Sequence, residues 1–412
     1  MKFDQLIIVH YRKGRIGALV YVKRIPLVFI FVISLVIVSA CNLEEKANSV
    51  PNTNANEQND GESWATENKL DETEPVDELY EKAKEEGSVV IYAKSSRFKD
   101  VKTSFEAEYP GITVEPYKIS GPDIVQKLVR EHNAGVYNSD VVFTSVEEQL
   151  MDEGYLHTYK PSDILENYVD SYTEGSSLIN IVDIKPVFYN TEAFEEAPVS
   201  GWWDLTEPEW KGKVLINDPI TDVSFSETFL AIIENSDEMA QAYKDKYGEE
   251  IELTEENAGY EFVKRFIEND PVVISSGEDI VESIGQSGNE STHIGIAPSS
   301  KLRHVEQNNV PISAVFDLEP KISAIGTSAM YIADQAPHPN AAKLLIRWTM
   351  GEADGKSAGL EPFNKLGSWI PRDDIENPNP ISIEEINAWH IDAEFYEKNY
   401  TTFRDFWLSN IN

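Results

Sequence analysis

Cys41 is the only cysteine in the 412 residues. No internal disulfide is possible, so the fold must be held by its apolar core. Basic residues are also scarce. There are 35 Lys and Arg against 72 Asp and Glu, a formal net charge of −37. Nucleic acid and anionic membrane surfaces are poor partners for so acidic a body. The acids are scattered along the whole chain, which reads as a solvated surface and not as one acidic site. Catalytic signatures are missing too. There is no Gly-x-Ser-x-Gly elbow, no His-Glu-x-x-His, no Walker loop and no Cys/His nucleophile pair. His132, His157, His293, His304, His338 and His390 are spread out, and none is assigned a role. No enzyme activity, no cofactor and no metal site are expected.

Arg12, Lys13, Arg15, Lys23 and Arg24 precede an almost wholly apolar run from Ile25 to Val38. Ser39 and Ala40 follow, then Cys41. Basic region, apolar core and small residues, in that order, make a secretory signal. The apolar run is short for a membrane span of about 20 residues, which disfavours an uncleaved anchor. A cysteine directly after the small residues resembles the lipobox of bacterial lipoproteins, whose cysteine is acylated and becomes the mature N-terminus. The resemblance implies residues 1–40 as signal peptide and Cys41 as lipid anchor on the outer face of the cytoplasmic membrane. Residues 41–75 are rich in Asn, Glu, Asp, Ser and Thr and read as a flexible tether.

Order is expected from Val76. Asp77 to Lys84 has helical spacing and stops at Gly87, and Ser88 to Tyr92 is a short apolar strand. Helix signals at 97–108 and 122–133 alternate with strands at 112–119 and 140–144. Further strands are expected at 213–216, 271–274, 293–297 and 322–332, and helices at 224–247 and 254–268. The tail from Asn340 reads as mainly helical. Alternating strands and helices argue an α/β fold with parallel strands.

Several stretches together resemble a known family. Leu79 to Tyr92 matches its first helix and strand, and Phe105 to Val114 its second unit. Asp140 to Ser145 is similar to its third strand end. Trp203-Asp204-Leu205, Pro208 to Val214, Asp218-Pro219 and Ala336 to Leu344 complete the set. The chain resembles the solute-binding proteins of ABC importers, in the ferric-iron-type group with the type II periplasmic-binding-protein fold. The resemblance implies two α/β lobes, each a mostly parallel sheet flanked by helices, joined by hinge strands. Lobe one would hold 76–182 and 327–412, and lobe two 183–326. A small solute would bind between them, and an ABC permease would receive it from a monomer.

In parallel α/β sheets, ligands sit beyond the carboxyl ends of strands. Those ends are rich in hydroxyls here: Ser95 and Ser96 beside Arg97, Thr144 and Ser145, Asp218 with Thr221, Ser224 and Ser226, Ser299 and Ser300, and Thr327. Helix starts follow the first four groups, so free N–H groups point the same way. With Lys94 and Arg97, these residues favour an anionic or polyhydroxyl solute. Each serine taken alone also reads as a helix cap. Trp202 and Trp203 read as core. The ferric-binding pattern asks for a histidine after strand one, a glutamate after strand three and a tyrosine pair. Here no histidine follows strand one, Ser145 stands at the glutamate position with Glu147 and Glu148 nearby, and Ser299-Ser300 replaces the tyrosines. Hard phenolate and carboxylate ligands suit ferric iron, and serine does not. Iron or an iron chelate is the alternative solute. An extracellular enzyme or a sensory or adhesive lipoprotein is the alternative of another class.

Overall fold

A computed structural model describes residues 63–411, apart from 146–147, 176 and 289–291. The leader and Cys41 lie outside the described residues.

The first sheet grows from the expected alternation. Helix α1 (Val76–Glu86) ends at Gly87, whose φ of 76° gives the left-handed cap a side chain would strain. Strand β1 (Ser88–Ala93) pairs in parallel with β2 (Thr113–Lys118) and β3 (Val141–Ser145). Helices α2 (Phe98–Glu108) and α3 (Gly121–Asn133) make the crossovers. Ser120 caps α3 by accepting the Asp123 N–H at 3.3 Å. Strand β11 (Gly326–Ala333) joins β3 antiparallel and also pairs with β4 (Leu156–His157) and β5 (Leu178–Asp183). Parallel pairing is therefore confined to β2-β1-β3. Ile91, Phe98, Phe105 and Phe143 form the core beneath, closed by α8 (Pro339–Met350).

The second sheet runs β10-β6-β9-β7-β8: β6 (Val187–Asn190), β7 (Val214–Asn217), β8 (Val272–Ile274), β9 (Ile294–Ile296) and β10 (Ile312–Val315). Here β8-β7-β9 is the parallel part. The helical stretch at 224–247 is two helices, α4 (Val223–Glu234) and α5 (Ser236–Tyr247). With α6 (Ala258–Glu268) and α7 (Gly277–Ile284) they flank the sheet. Trp202 and Trp203 are fully buried against Phe262, as core residues.

Three expectations need correction. Residues 63–75 are not a free tether. Trp64 packs on His157, Leu70 is buried, and Glu74 pairs with Lys82 and with the buried Lys343. A buried ammonium needs a carboxylate, and Glu74 supplies it. The tail is not mainly helical. After α8, residues 351–392 are largely irregular, and α9 (Ala393–Asn410) follows. Nor does the tail stay with the first lobe. Phe403 and Trp407 of α9 bury themselves against Phe229 of the second.

The lobes are thus bridged three times. Residues 184–186 leave β5, and residues 318–325 return to β11. A third segment, 367–389, runs along both. Val182 and Trp369 exchange backbone hydrogen bonds of 2.8 and 3.0 Å, and Ile325 donates to Trp389 at 2.8 Å.

Candidate functional site

The strand ends of both sheets face each other beside these crossings. Most of the hydroxyls there already have local partners. Ser95 Oγ accepts the Arg97 N–H at 3.3 Å. The Asp218 carboxylate closes a turn onto Ile220 N, and Thr221 is exposed. Asp222 caps α4 and takes the Ser224 hydroxyl at 2.7 Å. Ser226 donates to Val223 O and meets the Tyr396 hydroxyl at 2.9 Å. Ser299 is wholly buried; it donates to Gly367 O at 2.6 Å and accepts from Ile184 N at 3.2 Å. It fixes the hinge. Gly367 has φ +85°, and a Cβ there would overlap the Ser299 carbonyl. Ser300 is buried and gives its carbonyl to Arg303. Thr327 is half-buried in β11 opposite Val182. Thr144 is fully buried beneath Gly121, and its hydroxyl has no hydrogen-bond partner among the described residues.

Charge, not hydroxyl, is what converges. Lys94, at the end of β1, donates to Ser145 Oγ at 2.9 Å. Burial pushes its pKa down, while Asp183 and Glu227 pull it up and Lys185 opposes them. Lys185 comes from the first crossing. Its side chain is 1 % exposed, and its ammonium has no hydrogen-bond partner among the described residues. The nearest carboxylate oxygen, Asp183 Oδ1, is 3.9 Å away. Glu227, on the first turns of α4, faces the same space. Burial raises its carboxyl, against the pull of Lys185 and Lys94. Lys94, Asp183, Lys185, Asp222 and Glu227 thus lie within electrostatic reach of one another.

A cavity of about 280 Å³ opens beside Ser96 and Arg97, lined also by Arg303 and His304 from the second lobe. Arg97 is buried, bonded to Ser368 Oγ at 2.9 Å and stacked over the Phe363 ring. Among the described residues, no three His, Cys, Asp or Glu side chains gather as a metal site.

Sequence reasoning placed Ser145, Ser96 and Arg97 here but missed Lys185, Glu227, Arg303 and His304. A signal for Lys185 existed: Asp183 and Lys185 are lone charges in an apolar crossing, Ile179 to Val187. Arg303 and His304 follow a strand end by several residues and carry no local mark.

A model of the bacterial extracellular solute-binding protein family matches residues 100–386. No curated protein sequence is significantly similar. Three solved structures share the architecture at low identity. Iron-bound HitA from Pseudomonas aeruginosa superposes with a TM-score of 0.60 at 13 % identity, covering 77 % of this chain and 99 % of that one. AfuA from Actinobacillus pleuropneumoniae, with exogenous fructose-6-phosphate bound, gives 0.59 at 18 %, over 79 % and 98 %. AgtB from A. tumefacien R10, in complex with agropinic acid, gives 0.56 at 15 %, over 79 % and 98 %. These are type II periplasmic binding proteins, and the two-lobed fold is theirs. With its family model spanning most of the chain and its strand ends meeting across a hinge, the chain belongs to the bacterial extracellular solute-binding proteins, the capturing component of ABC transport.

Proposed function

We propose that the chain captures a small anionic solute at Lys94 and Lys185 and presents it to an ABC permease. The observation that carries this is the Lys185 ammonium, buried without a hydrogen bond. With its nearest carboxylate oxygen 3.9 Å away, the ammonium keeps donors unsatisfied, and a buried donor left unsatisfied is costly. Such a group is retained where something binds it. Lys94 supports the same solute, since among the described residues its ammonium donates to a neutral hydroxyl and to no carboxylate. Ser145 and Thr144 offer further polar atoms, and Glu227 accepts from a hydroxyl on the solute. The role is binding without turnover, by a monomer held at the outer face of the cytoplasmic membrane through acylated Cys41. Iron is disfavoured by chemistry. Ser299-Ser300, where the ferric pattern has tyrosines, supplies no phenolate.

Thermal unfolding tests the reading. Wild type should gain about 2–3 kcal/mol of stability at a hundredfold excess of a bound phosphate ester over its Kd. Lys185→Met should lose that gain. It should also lower the melting temperature of the free protein, because Asp183 and Glu227 lose a neighbouring ammonium. A variant that keeps the ligand-induced shift sinks the proposal. Mass spectrometry of the incubated ester should return it unchanged.

A further inference from the structure

Lys185 leaves the first lobe on the outgoing crossing, yet the returning one places it at both ends. Its backbone N–H donates at 2.9 Å to the hydroxyl of Ser323, a fully buried residue of the returning segment. Ser323 passes its own proton to Ala324 O at 2.7 Å. The Lys185 ammonium ends beside Gly326, three residues further on. Gly326 opens β11 and pairs with Asp183, the last residue of β5. A Cβ at position 326 would stand 2.5 Å from Asp183 Oδ1, 3.2 Å from Lys185 Nζ and 3.3 Å from the Asp183 carbonyl. Non-bonded atoms gain most at about 3.5–4.0 Å, so the first separation is an overlap and the second is tight. Gly326 is not among the glycines with positive φ, so its backbone does not demand glycine. What excludes a side chain there is the pair of charged atoms.

The same strand carries the Lys94 contact. Ser145, which accepts from the Lys94 ammonium, is paired with Ser328, and Ser328 lies two residues from Gly326 on β11. Directly paired residues, and residues two apart, share one face of a sheet. Ser145, Ser328, Gly326 and Asp183 therefore share a face, with Ser328 and Gly326 about 7 Å apart along the strand. We propose that Gly326 is a positioning residue for capture: its bare Cα is the seat against which the Lys185 ammonium and the Asp183 carboxylate are set side by side. This rests on the reading of Lys185 as part of the capture site. Any side chain at 326 displaces both charges, and the ammonium loses its nearest counter-charge, 3.9 Å away. The seat is made from the outgoing crossing and the foot of the returning one. The ammonium is thus fixed to the hinge and not to either lobe alone.

Calorimetric titration with glycerol 3-phosphate tests this. Gly326→Ala should weaken binding about tenfold or more. Adding Asp183→Ala removes the overlapping carboxylate, so the double variant should bind within about threefold of Asp183→Ala alone. A purely structural loss at 326 would not be rescued in this way. If Gly326→Ala fails to fold, the double variant carries the test, and failure to recover folding or binding overturns the proposal. Unchanged affinity in Gly326→Ala overturns it as well. A crystal structure of Gly326→Ala should show Asp183 Oδ1 and Lys185 Nζ moved away from position 326 with the pairing of β5 and β11 intact; unmoved atoms overturn the proposal whatever the ester does. Lys185→Met separates the two readings. If that variant binds the ester as well as wild type, or wild type does not bind it, the capture reading fails. The crystal structure alone then decides whether Gly326 seats the ammonium.

Discussion

Glu278 shows how one side chain organises its surroundings. Burial pushes its carboxyl up, but Lys301, Arg303 and His304 outweigh that and hold it at about 2. A carboxyl held below its ordinary value stabilises the fold fully above that value and loses the contribution as pH falls. The loss should fall between about 4.5 and 2. Glu278→Gln should therefore flatten the dependence of unfolding free energy on pH in that window, as followed by urea titration. An unchanged slope would show that the three partners do not act on it. The same residue explains a limit of sequence reading. Ser95, Ser224 and Ser299 are conspicuous because they cluster at strand ends, yet backbone groups claim Ser95 and Ser299 and the Asp222 cap claims Ser224. Glu278 and Arg303, 25 positions apart, meet only through the fold. Their pairing leaves no spacing to find.

Among the elements, α9 is the least expected in its placement. Asp392 caps it by accepting the Phe395 N–H at 2.8 Å. Phe403 and Trp407 then bury one turn apart against Phe229. Trp407→Ala should destabilise the protein by about 3–5 kcal/mol, through lost burial and the cavity left behind. Chemical denaturation measures this, and a cost below about 1 kcal/mol would mean that α9 is not docked. The elements of the first sheet were legible for physical reasons. Helix α1 ends where glycine permits a left-handed turn, and β1 is a short apolar run between punctuating residues. Residues 351–392 were not legible. Their hydrogen bonds go to distant backbone, as with Trp369 to Val182 and Trp389 to Ser323, and such pairing has no periodicity. Trp64 and Leu70 similarly sit in a polar stretch whose composition hid two apolar anchors.

For the whole molecule, the deficit of basic residues contrasts with the gathering of Lys94, Lys185, Arg97 and Arg303 near the crossings. A net charge of −37 keeps the outer surface in water, and the field of the cleft is local. Under the proposal that Cys41 is acylated, attachment near the membrane would hold such a body at high effective concentration for a permease. Cys41→Ala should move the protein from the membrane fraction to the soluble fraction on cell fractionation. Retention in the membrane fraction would rule out acylation at Cys41 as the anchor.

Residues 63–75 are clasped to the first lobe through Glu74 and Lys343, whereas α9 rides on the second. Ser63 and Ser409, both exposed, therefore report on different lobes. With Cys41 replaced, cysteines at these two positions become the only thiols in the chain. A donor dye and an acceptor dye attached there turn the protein into its own optical gauge. The transfer efficiency between them follows the angle of the hinge molecule by molecule, with no need to know beforehand which solute closes it.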